Sequence, residues 1–154
     1  MNKKLIIISI IIITIVALIY SGAKGKENSQ ISSQSSPTPQ SVIPADKIEV
    51  IHFHATQQCW SCITVGEYAL KTIKEKFPEE YASGKIVYKD IDGELKENQE
   101  IVVKYQARGS SLFVNAIRDE QDNIEEDVTV WRLINSESQF ISYFENKLSS
   151  LLGK

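Results

Sequence analysis

The sequence predicts an α/β domain of order βαβαββα, a four-stranded mixed sheet with helices on both faces, preceded by an N-terminal hydrophobic helix. Three observations carry that prediction. Short β-branched runs alternate with stripes in which an apolar residue recurs about every fourth position. Pro78 and the stretch Arg108-Gly109-Ser110-Ser111 interrupt the stripes where a helix should end. The last two strand-like runs stand close together, so only a short turn joins them, and covering both faces of the resulting sheet takes helices on each side.

Ile48 to Phe53 is a mostly apolar, β-branched run and suits a buried first strand. From about Cys59 to Phe77, Val65, Ala69, Ile73 and Phe77 form a helical stripe that Pro78 stops. Lys85 to Ile91 mixes β-branched and aromatic residues, as a second strand does. Leu95 to Tyr105 reads as a shorter helix with Ile101, Val102 and Tyr105 inward, and Leu112 to Ile117 as the third strand. Arg118 to Asn123 is a turn, and Ile124 to Arg132, with Val128, Val130 and Arg132 alternating, returns as an edge or outer strand. Ser136 and Gln139 then offer a capping box for a last helix carrying Phe140, Phe144, Leu148 and Leu151 on one face. The first half forms a parallel βαβ unit with a right-handed crossover, and the last two strands an antiparallel hairpin.

Ahead of this domain, Lys3 and Lys4 precede Leu5 to Tyr20, a stretch without a charged residue in which isoleucine fills nine of sixteen positions. Residues 1–23 therefore read as a signal-anchor or signal peptide. In the first case residues 5–20 hold the chain in the cell membrane as a single-pass protein; in the second, cleavage near Ala23 releases it as a secreted one. The two lysines keep the amino terminus in the cytoplasm, so the C-terminal domain is extracytoplasmic either way. Residues 24–45 are rich in Ser, Gln and Pro and poor in large apolar side chains, the composition of a disordered linker. Residues 46–154 make up one domain with 13 Lys and Arg against 19 Asp and Glu, a net charge of −6. That balance argues against nucleic acid as a partner.

Both cysteines and both histidines of the chain fall within "VIHFHATQQCWSC", Val50 to Cys62. Cys59 sits between the first strand and the first helix, where free N–H groups and the helix dipole stabilise a thiolate. Cys62 follows about one turn on, which suits a redox couple. A structural disulfide is the plainer alternative, although so short a loop would constrain little chain entropy. A metal-binding or metallochaperone module is the sharper one, because His52 and His54 share a strand face and with the cysteines make four ligands by count. Each histidine alone could instead be a packing residue or adjust the thiolate. Trp60, inside the motif, offers a docking surface to a partner or folds back on the domain. A catalytically idle adaptor would keep Trp60 and tolerate loss of both cysteines. The acidic group from Asp119 to Asp127 has no EF-hand spacing and reads as a solvated hairpin.

With its βαβαββα order, "VIHFHATQQCWSC" resembles the thioredoxin-like family over about Lys47 to Lys154, with Phe53, Ala55, Cys59 and Cys62 matching the family's strand-end and active-site pattern. The resemblance implies a thiol–disulfide oxidoreductase in which Cys59 is the exposed attacking thiol and Cys62 the resolving one, with no cofactor and no metal. Together with the anchor, it is similar to membrane-tethered extracytoplasmic members that exchange electrons with a membrane thiol–disulfide carrier. The expected partner is accordingly a protein thiol or disulfide. Three departures narrow what carries over. The connection from Phe53 to Cys59 is one residue longer than the family's usual spacing. His52 stands where many members have a buried acid, and its imidazole offers a proton relay to Cys62. Ser111 stands where the family has its cis-proline; a cis bond before a non-proline residue costs about 2.5–4 kcal/mol, so the Ser110–Ser111 bond is expected to be trans. An altered backbone clasp at Ser111 favours one dedicated partner over many substrates.

Overall fold

The computed structural model describes residues 43–154. The anchor predicted at 5–20 and most of the predicted linker lie outside the described residues. Among the described residues, no helix is long and apolar enough to cross a membrane. Ala45, at the end of the predicted linker, is buried, and its N–H donates to the Leu151 carbonyl at 2.8 Å.

The elements are β1 (Lys47–His54), α1 (Trp60–Lys76), α2 (Pro78–Ala82), β2 (Ile86–Asp92), α3 (Gln99–Tyr105), β3 (Ser111–Ile117), β4 (Ile124–Glu126) and α4 (Glu137–Leu152). A single 3-10 turn, Lys96–Asn98, leads into α3. The sheet order is β2-β1-β3-β4, with β1 parallel to β2 and antiparallel to β3, and β3 antiparallel to β4. A central strand flanked on both edges must be apolar on both faces, which is why β1 reads as a nearly continuous hydrophobic run. This mixed sheet and its helices are consistent with a thioredoxin-like fold.

Alternation along the strands divides the core in two. Ile48, Val50, Leu112, Val114 and Ala116 pack under α1 and α4, against Val65, Ala69, Ile73, Phe140, Phe144 and Leu148. Ile51, Phe53 and Phe113 face the other way, onto Tyr105 with Ile101 and Val102 of α3. Helices therefore cover both faces. Pro78 ends α1 and also begins α2, where its missing N–H has no helical acceptor to lose.

Two expectations need correction. The strand predicted over Ile124–Arg132 pairs only as far as Glu126, and Val128–Arg132 winds into a 3-10 turn. Asp127 is the cause: its buried carboxylate accepts the Thr129 N–H at 3.1 Å, a local bond that competes with the ladder. Tyr143 and Lys147 of α4 hold that carboxylate, and the turn buries Val130 while leaving Val128 exposed, where a strand would have put both on one face. At α4, Ser136 is the N-cap but makes no side-chain cap bond; its hydroxyl lies 3.4 Å from that of Ser138. The capping box with Gln139 does not form. The buried stripe is Phe140, Phe144, Leu148 and Leu152, with Leu151 only partly buried at its edge.

Candidate active site

Cys59 is the N-cap of α1, in extended conformation, with its sulfur accepting the Cys62 N–H at 3.4 Å. The two residues are joined as a disulfide with Cα atoms 5.2 Å apart. Cys59 is exposed, and the Ser61 hydroxyl lies 3.0 Å from its sulfur; Cys62 is turned inward and buried. The first turn of α1 contains no acidic residue. Once the disulfide opens, the helix N–H groups favour a thiolate at Cys59 with no opposing carboxylate in that turn. Trp60 stands between the cysteines and is 64% exposed, so it faces solvent and does not fold onto the domain.

The loop that brings Cys59 to this position is the connection with one residue more than the resemblance leads one to expect. It is braced by the turn after β2. Thr56 donates its N–H to Glu94 Oε2 at 3.0 Å and its hydroxyl to Asp92 Oδ2 at 2.8 Å, while Gly93 donates to the His54 carbonyl at 2.8 Å. Bonds from the Glu94 N–H and the Thr56 hydroxyl hold the Asp92 carboxyl below its ordinary pKa. A cleft of about 300 Å³ opens beside this loop, lined by His54, Glu94 and Arg108 among others, but the cysteines do not line it.

His52 and His54 lie on the same face of β1, as their spacing requires, with ring centroids 5.7 Å apart. His52 is buried at 1% exposure, and its Nδ1 is 2.7 Å from Asp90 Oδ1 on β2, the residue directly opposite it in the parallel register. Burial lowers its pKa below the ordinary imidazole value, against the opposing pull of Asp90. Its ring rests on α1 at Gly66, one turn beyond Cys62. His54 is less buried; its Nδ1 lies 2.9 Å from the Ala55 carbonyl and its Nε2 3.6 Å from the same Asp90 oxygen. Among the described residues, no three His, Cys, Asp or Glu side chains gather as a metal-holding group, so the four-ligand set of Cys59, Cys62, His52 and His54 is not assembled. His52 is committed to Asp90 and the cysteines to each other.

Ser111 is the first residue of β3, opposite Phe53, and is buried with its hydroxyl donating to the Gly109 carbonyl at 3.0 Å. The described residues contain no cis peptide bond, so Ser110–Ser111 is trans, as the missing proline leads one to expect. Sequence reasoning singled out neither Asp90 nor Gly66. An isolated glycine within a helical stripe was the available signal for Gly66; Asp90 becomes visible only once the β1–β2 register is known.

No family model matches the chain, and no curated protein matches it significantly. Among solved structures it is similar to the human ERp44 zinc-bound form, at 21% identity and a TM-score of 0.47, over 68% of this chain. The chain spans 27% of the length of that structure's chain.

Proposed function

We propose that the protein is a thiol–disulfide oxidoreductase whose couple is Cys59–Cys62, anchored in the cell membrane through residues 5–20 and working outside the cytoplasm on one dedicated protein partner. One observation carries the reading. The disulfide caps the amino end of α1 with one sulfur exposed and the other buried, which is the asymmetry an attacking and a resolving thiol need. In the reduced protein the Cys59 thiolate attacks a partner disulfide, forming a Cys59–partner bond and releasing the partner's second sulfur as a thiolate. Cys62 then loses its proton and attacks Cys59. The mixed disulfide breaks, and two electrons have passed to the partner, which leaves with both sulfurs reduced. Run backward, the same steps oxidise a partner dithiol, so the partner's potential sets the direction. Trp60 supplies exposed aromatic area beside the nucleophile for docking. The trans bond before Ser111 supports a narrower substrate range than a proline clasp would give. A membrane thiol–disulfide carrier is the partner class that fits an anchored domain.

The test is thiol trapping of the purified chain across glutathione buffers. The expected result is a reversible two-electron couple. Cys59→Ser should abolish exchange and Cys62→Ser should accumulate a covalent complex with the partner. Full exchange activity in Cys59→Ser protein would overturn the reading and favour an idle adaptor.

A further inference from the structure

We infer that Asp90 is a positioning residue for this chemistry: it fixes His52 in one tautomer beneath α1 and links the buried Cys62 end of the couple to solvent as a proton path. The inference rests on the oxidoreductase reading and adds to it a residue on another strand.

The geometry begins with the register. Because β1 and β2 run parallel with His52 opposite Asp90, the carboxylate meets the ring edge-on at 2.7 Å. A carboxylate only accepts, so Nδ1 carries the proton and the neutral ring presents Nε2 as a bare acceptor. That Nε2 is buried and makes no hydrogen bond of full geometry, the one buried side-chain nitrogen or oxygen among the described residues in that condition, while the Cys62 backbone lies near enough to the ring to favour its protonated form. An unpartnered buried acceptor is costly, and a proton arriving there would remove the cost. The ring is also held against the helix that bears the couple. A Cβ on Gly66 would fall 2.6 Å from His52 Nδ1 and 2.9 Å from its Cε1, so only glycine leaves room for the imidazole in this pose.

Asp90 reaches the other way, with a side chain 53% exposed. It borders a groove of about 260 Å³ between α1 and the free edge of β2, shared with Glu67, Leu70 and Tyr88. The titratable groups around the ring are Asp90 and Tyr88 from β2, His54 from β1, and Cys62 and Glu67 from α1. Burial pushes the His52 pKa down, and burial together with Asp90 pushes that of Tyr88 up, so near neutral pH the imidazole is a neutral base and the phenol keeps its proton.

During resolution the Cys62 thiol gives its proton to Nε2, directly or through one water, and its sulfur bonds to Cys59 as the partner sulfur leaves with the electron pair of the broken bond. The imidazolium so formed is stabilised by Asp90 and passes its Nδ1 proton through that carboxylate to water in the groove. When a thiol opens the disulfide, the departing Cys62 thiolate takes the proton back by the same route.

The experiment uses the reduced full chain and dithiobis(nitrobenzoate), followed by stopped flow across pH. Attack by Cys59 releases a first thionitrobenzoate and resolution by Cys62 a second, so the two steps are read separately. For Asp90→Asn the expected result is a second phase about tenfold slower relative to the first near neutral pH, with its profile displaced toward the pKa of a free thiol, and partial rescue in Asp90→Glu. A second-phase profile in Asp90→Asn matching that of the unaltered chain would overturn the inference and leave the oxidoreductase reading intact. Labelling of both cysteines in the unaltered chain, without closure of the disulfide, would overturn the reading itself. Should Asp90→Asn prove unfolded by circular dichroism, Asp90→Glu decides alone: the inference requires its profile to lie above that of the unaltered chain in pH, and coincidence overturns it.

Discussion

At Gly66, a hydrogen in place of a side chain lets the His52 ring lie directly on α1, and two opposing effects meet there. Replacing a helical glycine by alanine ordinarily stabilises a helix by about 1 kcal/mol. Here the new methyl would fall 2.6 Å from a ring whose own exposure is 1%, and forcing an extra carbon into a packed site costs about 1–3 kcal/mol. The ring cannot retreat without breaking its bond to Asp90. Gly66→Ala is therefore expected to lower stability by about 1 kcal/mol in urea denaturation, and an unchanged or higher midpoint would mean that His52 is not pinned as described. This is also the scale at which the sequence was least complete. Cys59, Cys62, His52 and His54 announce themselves by crowding into one segment, but Asp90, 38 positions from His52, acquires its role only through strand register. The exposure of Trp60 and the bracing of the loop by Thr56, Asp92 and Glu94 likewise depend on contacts between segments that periodicity does not encode.

Among the elements, β1, α1, β2 and β3 were legible because each carries many apolar residues at one period, and burial rewards that period directly. The stripe Val65, Ala69, Ile73 and Phe77 is wholly buried. The end of β4 was not legible, because a single buried Asp127 with a local partner outweighs the alternation of Val128 and Val130. The start of α4 shows the same limit: Ser136 and Gln139 have the right spacing for reciprocal capping, yet the serine hydroxyl turns toward Ser138. A serine that makes no cap bond contributes little. Ser136→Ala is thus expected to cost under about 0.5 kcal/mol, where a working cap would cost about 1. Phe144→Ala, at the buried centre of the same helix, is expected to cost about 3–5 kcal/mol. The ratio of the two, measured by chemical denaturation, is the check; a Ser136→Ala loss near 1 kcal/mol would show that the cap forms in solution.

Over the whole molecule, the two half-cores meet at the sheet, and tyrosines at their margins tie them to a helix carbonyl or to a carboxylate. Tyr88 of β2 donates to the Gly66 carbonyl at 3.1 Å, Tyr105 of α3 to Glu49 at 3.0 Å, and Tyr143 of α4 to Asp127 at 3.0 Å. Burial raises the pKa of all three phenols, and a neighbouring carboxylate adds to the rise in each case. Lys147 is raised as well, since Glu125 and Asp127 outweigh its burial. The sign is the same for all four groups. The folded chain keeps protons that the unfolded chain releases near about pH 10, so their contribution is complete below that pH and is lost as pH rises through the folded values. Such groups sit on one strand and two helices, β2, α3 and α4, and touch both half-cores, so their titration should unfold the domain as a unit and not fray one end. The denaturation midpoint is expected to fall steeply above about pH 10, with fluorescence and circular dichroism reporting the same transition. In Tyr88→Phe and in Tyr105→Phe the fall should be shallower, because one group that binds a proton more tightly in the folded state is gone from each. A midpoint that holds level through that range, or that falls as steeply in both phenylalanine variants, would mean that these phenols do not link the core to pH.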